Sequence, residues 1–116
     1  MDRLVLYHNE NCSKSREVLA YLKDNKYAFD IINYLEVGLS IFEILDIAKT
    51  LDLTVDEMLR KKEEIYLNHN IEWSNNKIAA SMVAKNPILL ERPILIKKGI
   101  GIIVRPFDKI YSFLEE

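Results

Sequence analysis

The one cysteine of this 116-residue chain, Cys12, lies in the segment HNENCSKSR at positions 8–16. It follows the short apolar run LVLY and precedes a segment with helical spacing, which places it at the start of the first predicted helix. Backbone N–H groups at a helix N-terminus lack partners within the helix and carry the positive end of the helix dipole. They stabilise a thiolate and bind oxyanions. A nucleophile and an anion site could therefore share this position.

The competing interpretation of Cys12 is an inert, partly buried thiol, because lone intracellular cysteines commonly behave as small apolar residues. Two other chemistries are excluded by spacing. A C-x-x-C dithiol site needs a second cysteine at position 15, which is Ser15, and a C-x5-R phosphatase loop needs arginine at position 18, which is Val18. Position alone leaves a reactive and an inert Cys12 both open.

Three arginines could supply cations to an oxyanion. Arg60 lies in MLRKK, Arg92 precedes Pro93 at the start of the third predicted strand, and Arg105 precedes Pro106 just after the fourth. Arginine suits this role because its planar fork donates two parallel hydrogen bonds. Each arginine also has a simpler interpretation, since the charge run RKKEE is typical of a solvated helix face and Arg-Pro pairs are common in turns.

The elements that position these residues follow from hydrophobic periodicity and turn signals. Strands are predicted at Leu4–Tyr7, Ala28–Tyr34, Pro93–Ile96 and Ile102–Val104, and helices at Ser13–Asn25, around Ile41–Ala48, from Thr54 to near Arg60, around Ile78–Val83 and from Pro106 on. This order predicts an α/β, thioredoxin-like fold with a mixed four-stranded sheet and a helical insertion at about 38–86. The length predicts a single domain over residues 1–116.

Composition and charge limit the partners and the cellular location that we expect for this chain. The formal net charge is −2 with acids and bases interspersed, which argues against direct nucleic-acid binding. No run approaches the roughly 18 apolar residues of a membrane span, and charged residues interrupt the apolar start of the chain, so we expect neither a membrane segment nor a signal peptide. One cysteine forms no internal disulfide, which favours the cytoplasm. Two histidines and one cysteine predict no metal site.

Five stretches, in order, are similar to the glutaredoxin-dependent arsenate reductase family: YHNENCSKSREVL, NYLE, MLRKK, NPILLERPILI and IVRPFD. The resemblance runs nearly end to end. It implies that Cys12 is the nucleophile and that Arg60, Arg92 and Arg105 bind the oxyanion. It also implies that Pro93 is a cis-proline, as in thioredoxin-like folds. The motif residues His8, Asn9, Ser15 and Arg16 are retained as supporting residues.

The resemblance implies an oxidoreductase that reduces arsenate to arsenite, with glutathione as the reductant, glutaredoxin as the protein partner and no bound cofactor. The first motif of the family usually reads H-N-P-x-C-G-T-S-R. Here Glu10 replaces the proline and Ser13-Lys14 replaces Gly-Thr. A carboxylate beside an anion site is unfavourable unless it faces solvent.

Two alternatives remain open at this stage. One is a glutathione-dependent thiol reductase acting on other substrates. The altered turn around Cys12 is compatible with this activity. The other is a regulator of the related Spx type, which binds RNA polymerase. Spx-type proteins typically carry a C-x-x-C switch, and Ser15 interrupts that motif here.

Overall fold

The structure is a computed structural model that describes residues 3–68 and 70–115. Its elements are β1 (Leu4–His8), α1 (Ser13–Asp24), β2 (Phe29–Asn33), α2 (Tyr34–Val37), α3 (Ile41–Leu51), α4 (Asn76–Lys85), β3 (Ile94–Lys97), β4 (Ile100–Ile103) and α5 (Lys109–Glu115). Short 3₁₀ helices at Asp56–Met58 and Pro87–Leu89 lie on either side of α4 in the chain. The chain divides into two compact units, one containing the described residues up to Tyr34 and from Arg92 on, and the other containing Leu35–Glu91.

The first unit contains a four-stranded sheet with the strand order β2-β1-β3-β4. Strands β1 and β2 are parallel, whereas β3 is antiparallel to both β1 and β4. The predicted mixed sheet is therefore confirmed, and so is the helical character of the chain between β2 and β3. The single-domain assignment stays a prediction.

Strand β1 and helix α1 bury the residues that lead into Cys12. In β1 the buried residues alternate, and Val5 and Tyr7 are only partly buried. A continuous apolar run such as LVLY is consistent with a strand buried on both faces, but one face of this strand is only partly covered. Helix α1 buries Ser15, Val18 and Leu22, as its spacing predicts. The core of this unit consists of Leu4, Leu6, Val18, Leu22, Leu95, Val104, Ile110 and Phe113.

A tight hairpin joins β3 and β4. Lys98 and Gly99 both have positive φ, 53° and 73°, as a two-residue type I′ turn requires. This turn fixes the register that pairs Ile94 with Ile103. Just beyond that pair, the Val104 N–H donates to the Pro93 carbonyl at 2.9 Å. The hairpin therefore brings the chain after β4 back beside the chain before β3.

Helices α3 and α4 pack together in the second unit. A capping box between Ser40 and Glu43 starts α3, and the helix buries Ile44, Ile47 and Ala48. Helical spacing predicts an apolar face of Ile41, Ile44, Leu45 and Ala48, and this prediction is partly wrong, because Ile41 is 39% exposed. Ile41 is the first helical residue, where solvent reaches the end of the helix, and Ile47 takes its place in the core.

The predicted helix from Thr54 to near Arg60 is also partly wrong. Thr54 and Glu57 form reciprocal hydrogen bonds, but only a single 3₁₀ turn follows. From Leu59 the chain becomes extended and pairs antiparallel with Leu90. Strand-like hydrogen bonds on both sides of that bridge compete with the helix and end it.

Other element boundaries also differ from the sequence prediction by one to three residues, as β2 and α5 show. Strand β2 ends at Asn33, and the buried Tyr34 begins the short helix α2, which was not predicted. Helix α5 begins at Lys109, three residues after the predicted start. Within residues 3–68 and 70–115, no helix has both the length and the apolar character needed to cross a membrane.

Candidate active site

Cys12 is the N-cap residue of α1. Its backbone is extended, with φ −102° and ψ 121°, and its carbonyl accepts a backbone hydrogen bond from the Arg16 N–H at 3.0 Å. Its own N–H donates to the Asn9 carbonyl at 3.0 Å, which closes the loop between β1 and α1. The residue is 7% exposed. The sequence position predicted from spacing, at the beginning of a helix, is thus confirmed.

Groups around Cys12 have opposing effects on the ionisation of its thiol. Burial is the largest, and it favours the neutral thiol. The Ser15 N–H, the charge and hydrogen bond of the Arg92 guanidinium, and the Lys14 N–H all favour the thiolate, and together they lower the pKa of Cys12 below its ordinary value. An inert cysteine packed among apolar groups would have a raised pKa. The thiol therefore has the electrostatic setting of a nucleophile.

Arg105 contacts the same sulfur. Its Nη2 lies 3.5 Å from Cys12 Sγ, and its Nε donates to the Arg92 carbonyl at 2.7 Å. Cys12, Arg92 and Arg105 therefore come together in the first unit. The Arg92–Pro93 peptide bond is cis, as predicted, and the Arg105–Pro106 bond is also cis, which was not predicted.

Ser15 connects the loop before Cys12 to helix α1. It is fully buried, and its Oγ accepts a hydrogen bond from the Asn9 N–H at 3.1 Å. The same Oγ lies 2.6 Å from Nδ1 of His8, which is 4% exposed. His8 therefore contacts Ser15. Burial lowers the pKa of His8, the Glu10 carboxylate opposes this, and the charges of Arg16 and Lys23 add to the lowering. A neutral imidazole follows at pH 7.

The turn around Cys12 has two further supports. The Asn9 side-chain oxygen accepts from the Asn11 N–H at 3.0 Å, and Arg16 Nη1 donates to the Glu10 carbonyl at 2.8 Å. Glu10 itself is exposed, so its side chain faces solvent. The retained motif residues Asn9 and Arg16 thus hold the backbone of this loop.

Arg60 lies in the second unit and is anchored there. Its backbone N–H donates to the Leu89 carbonyl at 2.7 Å. Its Nη1 lies 3.3 Å from Glu63 Oε1 and 3.3 Å from the Ile88 carbonyl oxygen. The role of Arg60 in binding an oxyanion stays a prediction.

Comparison with known proteins identifies the family of this chain. Residues 7–113 match the ArsC family. The chain belongs to this family. The arsenate reductase of Haemophilus influenzae is 36% identical, with 96% of this chain and 98% of that protein covered. The arsenate reductase of Neisseria meningitidis serogroup B is 32% identical, with 98% and 100% covered.

A solved structure supports the fold of this ArsC-family chain. The arsenate reductase from Vibrio cholerae has a TM-score of 0.87 and 36% identity, and the match covers 96% of this chain and 97% of that one. The predicted thioredoxin-like α/β fold and the family resemblance are both confirmed.

One residue that contacts Arg60 was missed by the sequence analysis. Glu63, the partner of Arg60, was assigned to a solvated charge run. The signal was present, because Arg60 and Glu63 have the i, i+3 spacing of an ion pair. Within the described ranges, no group of three or more histidine, cysteine or carboxylate side chains is arranged to hold a metal ion.

Proposed function

We propose that this ArsC-family protein reduces arsenate to arsenite through the Cys12 thiolate, with glutathione as the reductant and glutaredoxin as the protein partner. The observation that carries the proposal is the setting of the Cys12 sulfur, at the start of α1 and 3.5 Å from Arg105 Nη2. We take arsenate as the substrate because the relatives that match this chain nearly end to end are named arsenate reductases.

In the proposed binding step, arsenate docks beside Cys12 against the N–H groups at the start of α1. Arg92 and Arg105 match its charge, and the family resemblance assigns Arg60 to the same oxyanion. Guanidinium groups suit arsenate because each can contact two of its oxygens. These donors also stabilise the charge that develops as sulfur attacks arsenic.

The chemistry proceeds by thiolate attack. Cys12 Sγ forms a bond to As(V), and one arsenate oxygen leaves as water after taking up protons. A glutathione thiolate then attacks the adduct. The two sulfurs end as a Cys12–glutathione disulfide, and their two electrons reduce As(V) to As(III), which leaves as arsenite. A glutaredoxin thiol attacks the glutathione sulfur of that disulfide, so Cys12 leaves as a thiolate and glutaredoxin carries the glutathione.

The test is arsenate-dependent NADPH oxidation with glutathione, glutaredoxin and glutathione reductase present. We expect activity that requires all components and is abolished by Cys12→Ser. Arg105→Met should raise the KM for arsenate and lower kcat, because it removes a group that contacts both anion and sulfur. Arg3→Met is the matched control, since Arg3 pairs with Asp30 at the far end of β1.

Wild-type protein that leaves arsenate unreduced under these conditions would refute the proposal. If the same preparation reduced a glutathionylated peptide through Cys12, the thiol-reductase alternative would replace it. Tight co-purification with RNA polymerase subunits, combined with an unreactive Cys12, would favour the regulator.

A further inference from the structure

The guanidinium of Arg60 is held on one side only. Both hydrogen bonds of its side chain start from Nη1, one to Glu63 Oε1 and one to the Ile88 carbonyl. Nη1 carries two protons, so these two acceptors occupy it fully. In residues 3–68 and 70–115, the structure gives no other hydrogen bond to this guanidinium.

The opposite edge of the fork, formed by Nε and Nη2, is the edge that pairs bidentately with two oxygens of an anion. The Arg60 side chain is 25% exposed and that of Glu63 is 29% exposed, so both remain accessible to solvent. Two acceptors on Nη1 restrict rotation of the guanidinium plane. The side chain is thereby ordered before any ligand arrives.

We propose that Glu63 is a positioning residue, which orients Arg60 so that its Nε/Nη2 edge is presented to the substrate oxyanion. The inference rests on the proposed function, because it takes Arg60 as an oxyanion ligand. It names Glu63 as a residue that sets oxyanion affinity without touching the oxyanion.

Glu63 acts on Arg60 in two separable ways. Its oxygen is a hydrogen-bond acceptor that orients the fork, and its negative charge offsets part of the attraction between Arg60 and an anion. Glutamine keeps an acceptor oxygen and removes the charge. Alanine removes both, and aspartate keeps the charge but withdraws the acceptor by one methylene group. Glu63→Gln is therefore expected to differ in its effect on oxyanion affinity from Glu63→Ala and Glu63→Asp.

The experiment measures kcat and KM for arsenate in the coupled assay, and the Kd for arsenate by calorimetry in a Cys12→Ser background. We expect Glu63→Ala and Glu63→Asp to raise KM and Kd about three- to tenfold, with kcat within about twofold of wild type. Glu63→Gln should leave both constants equal to wild type or lower them by up to about threefold. Far-ultraviolet circular dichroism and thermal melts verify folding.

Glu64→Ala and Glu64→Gln are the matched controls. Glu64 is an exposed carboxylate next in the chain, and its side chain makes no hydrogen bond or ion pair to Arg60 in the described residues. These variants remove one negative charge, as Glu63→Ala and Glu63→Gln do. They therefore report the effect of the lost charge alone on KM and Kd. We expect both to leave KM and Kd within about twofold of wild type.

The outcomes separate this inference from the proposed function. An unchanged Kd in Glu63→Ala overturns the positioning role, and a lowered Kd there shows that Glu63 only competes with the anion. Equal losses in Glu63→Gln and Glu63→Ala also overturn it. If wild type fails to reduce arsenate, the proposed function fails, while the calorimetry still decides the inference. A Kd unaffected by Arg60→Met overturns the inference alone.

Discussion

The ionisation of Cys12 depends on how strongly nearby donors outweigh burial. Burial alone would keep the thiol protonated, whereas the Ser15 N–H, Arg92 and the Lys14 N–H favour the anion. The net result is a lowered pKa, so the thiolate is more abundant at neutral pH than in a free cysteine. Only the thiolate is a competent nucleophile.

Replacement of Arg92 should therefore raise the pKa of Cys12. Arg92→Met removes a positive charge and a hydrogen bond from the thiolate while burial remains. We expect the pH profile of alkylation by iodoacetamide to move to higher pH, towards or above the value of about 8.5 for a free thiol. Arg3→Met should leave the profile in place. Coincident profiles for wild type and Arg92→Met would contradict this assignment.

His8 should titrate below an ordinary histidine. Burial lowers its pKa, so the folded protein holds it neutral, whereas the unfolded chain protonates it at about pH 6.5. Its contribution to stability is therefore lost as the pH falls below about 6.5 towards the folded pKa. An NMR titration of the two histidines, with His8→Asn for assignment, measures this directly. A His8 midpoint at or above 6.5 would be inconsistent with a buried neutral imidazole.

The β3–β4 hairpin sets the position of Arg105 relative to Arg92. Its turn holds the register of the strands, and the hydrogen bond from Arg105 Nε to the Arg92 carbonyl follows directly beyond them. The turn therefore supports the placement of Arg105 beside the Arg92 carbonyl and the Cys12 sulfur. Lys98 and Gly99 both adopt a left-handed backbone there.

Gly99→Ala should destabilise the protein by about 1–2 kcal/mol. A Cβ at Gly99 meets no atom within 4 Å, so the expected cost is the strain of an L-residue at φ +73°. Urea denaturation measures the change, and Ser112→Ala, at an exposed position in α5, is the control. Equal stability of Gly99→Ala and wild type would mean that the turn relaxes to another type.

Periodicity predicted most elements closely but not their exact ends. Strand β1 and helix α1 each end within one residue of their predicted ends, because an apolar run and a clear apolar face define them. The segment after Thr54 could not be predicted in this way. Its capping box forms, yet the antiparallel pairing of Leu59 with Leu90 is a long-range contact that no local pattern reveals.

The site was predicted unevenly for the same reason. Cys12 at the start of α1 followed from the local sequence, and the family resemblance pointed to Arg92 and Arg105. Two contacts depend on tertiary structure: the hydrogen bond from Arg105 Nε to the Arg92 carbonyl, and the hydrogen bond that Ser15 Oγ accepts from the Asn9 N–H. Sequence spacing carries no information about such contacts.

Each of the two compact units has its own buried side chains. The single-domain prediction implies that both units unfold together in one cooperative transition. Leu95→Ala in the first unit and Ile44→Ala in the second remove fully buried side chains. Each should cost about 2–5 kcal/mol. If the chain is one domain, both variants lower the midpoint of a single thermal transition. Two transitions, each moved by only one variant, would show two domains.

A chain with one cysteine has no second thiol to resolve an adduct on the same molecule. Oxidised glutathione should therefore add one glutathione per chain, at Cys12, and the adduct should persist until glutaredoxin is added. Intact mass spectrometry follows both steps, with Cys12→Ser as the unreactive control. Rapid release of glutathione without glutaredoxin would contradict the assignment of glutaredoxin as the partner.

The contact between Arg105 and the Cys12 sulfur joins residues 93 positions apart. During synthesis on the ribosome, the cysteine emerges long before either guanidinium that reaches it, and contacts of such separation form late in folding. A nascent chain therefore lacks the Arg92 charge and the Arg105 contact at this sulfur, and only the local Ser15 and Lys14 N–H groups favour its thiolate once α1 has formed. The full set of groups around Cys12 is present only after the chain that carries both arginines has joined the first unit.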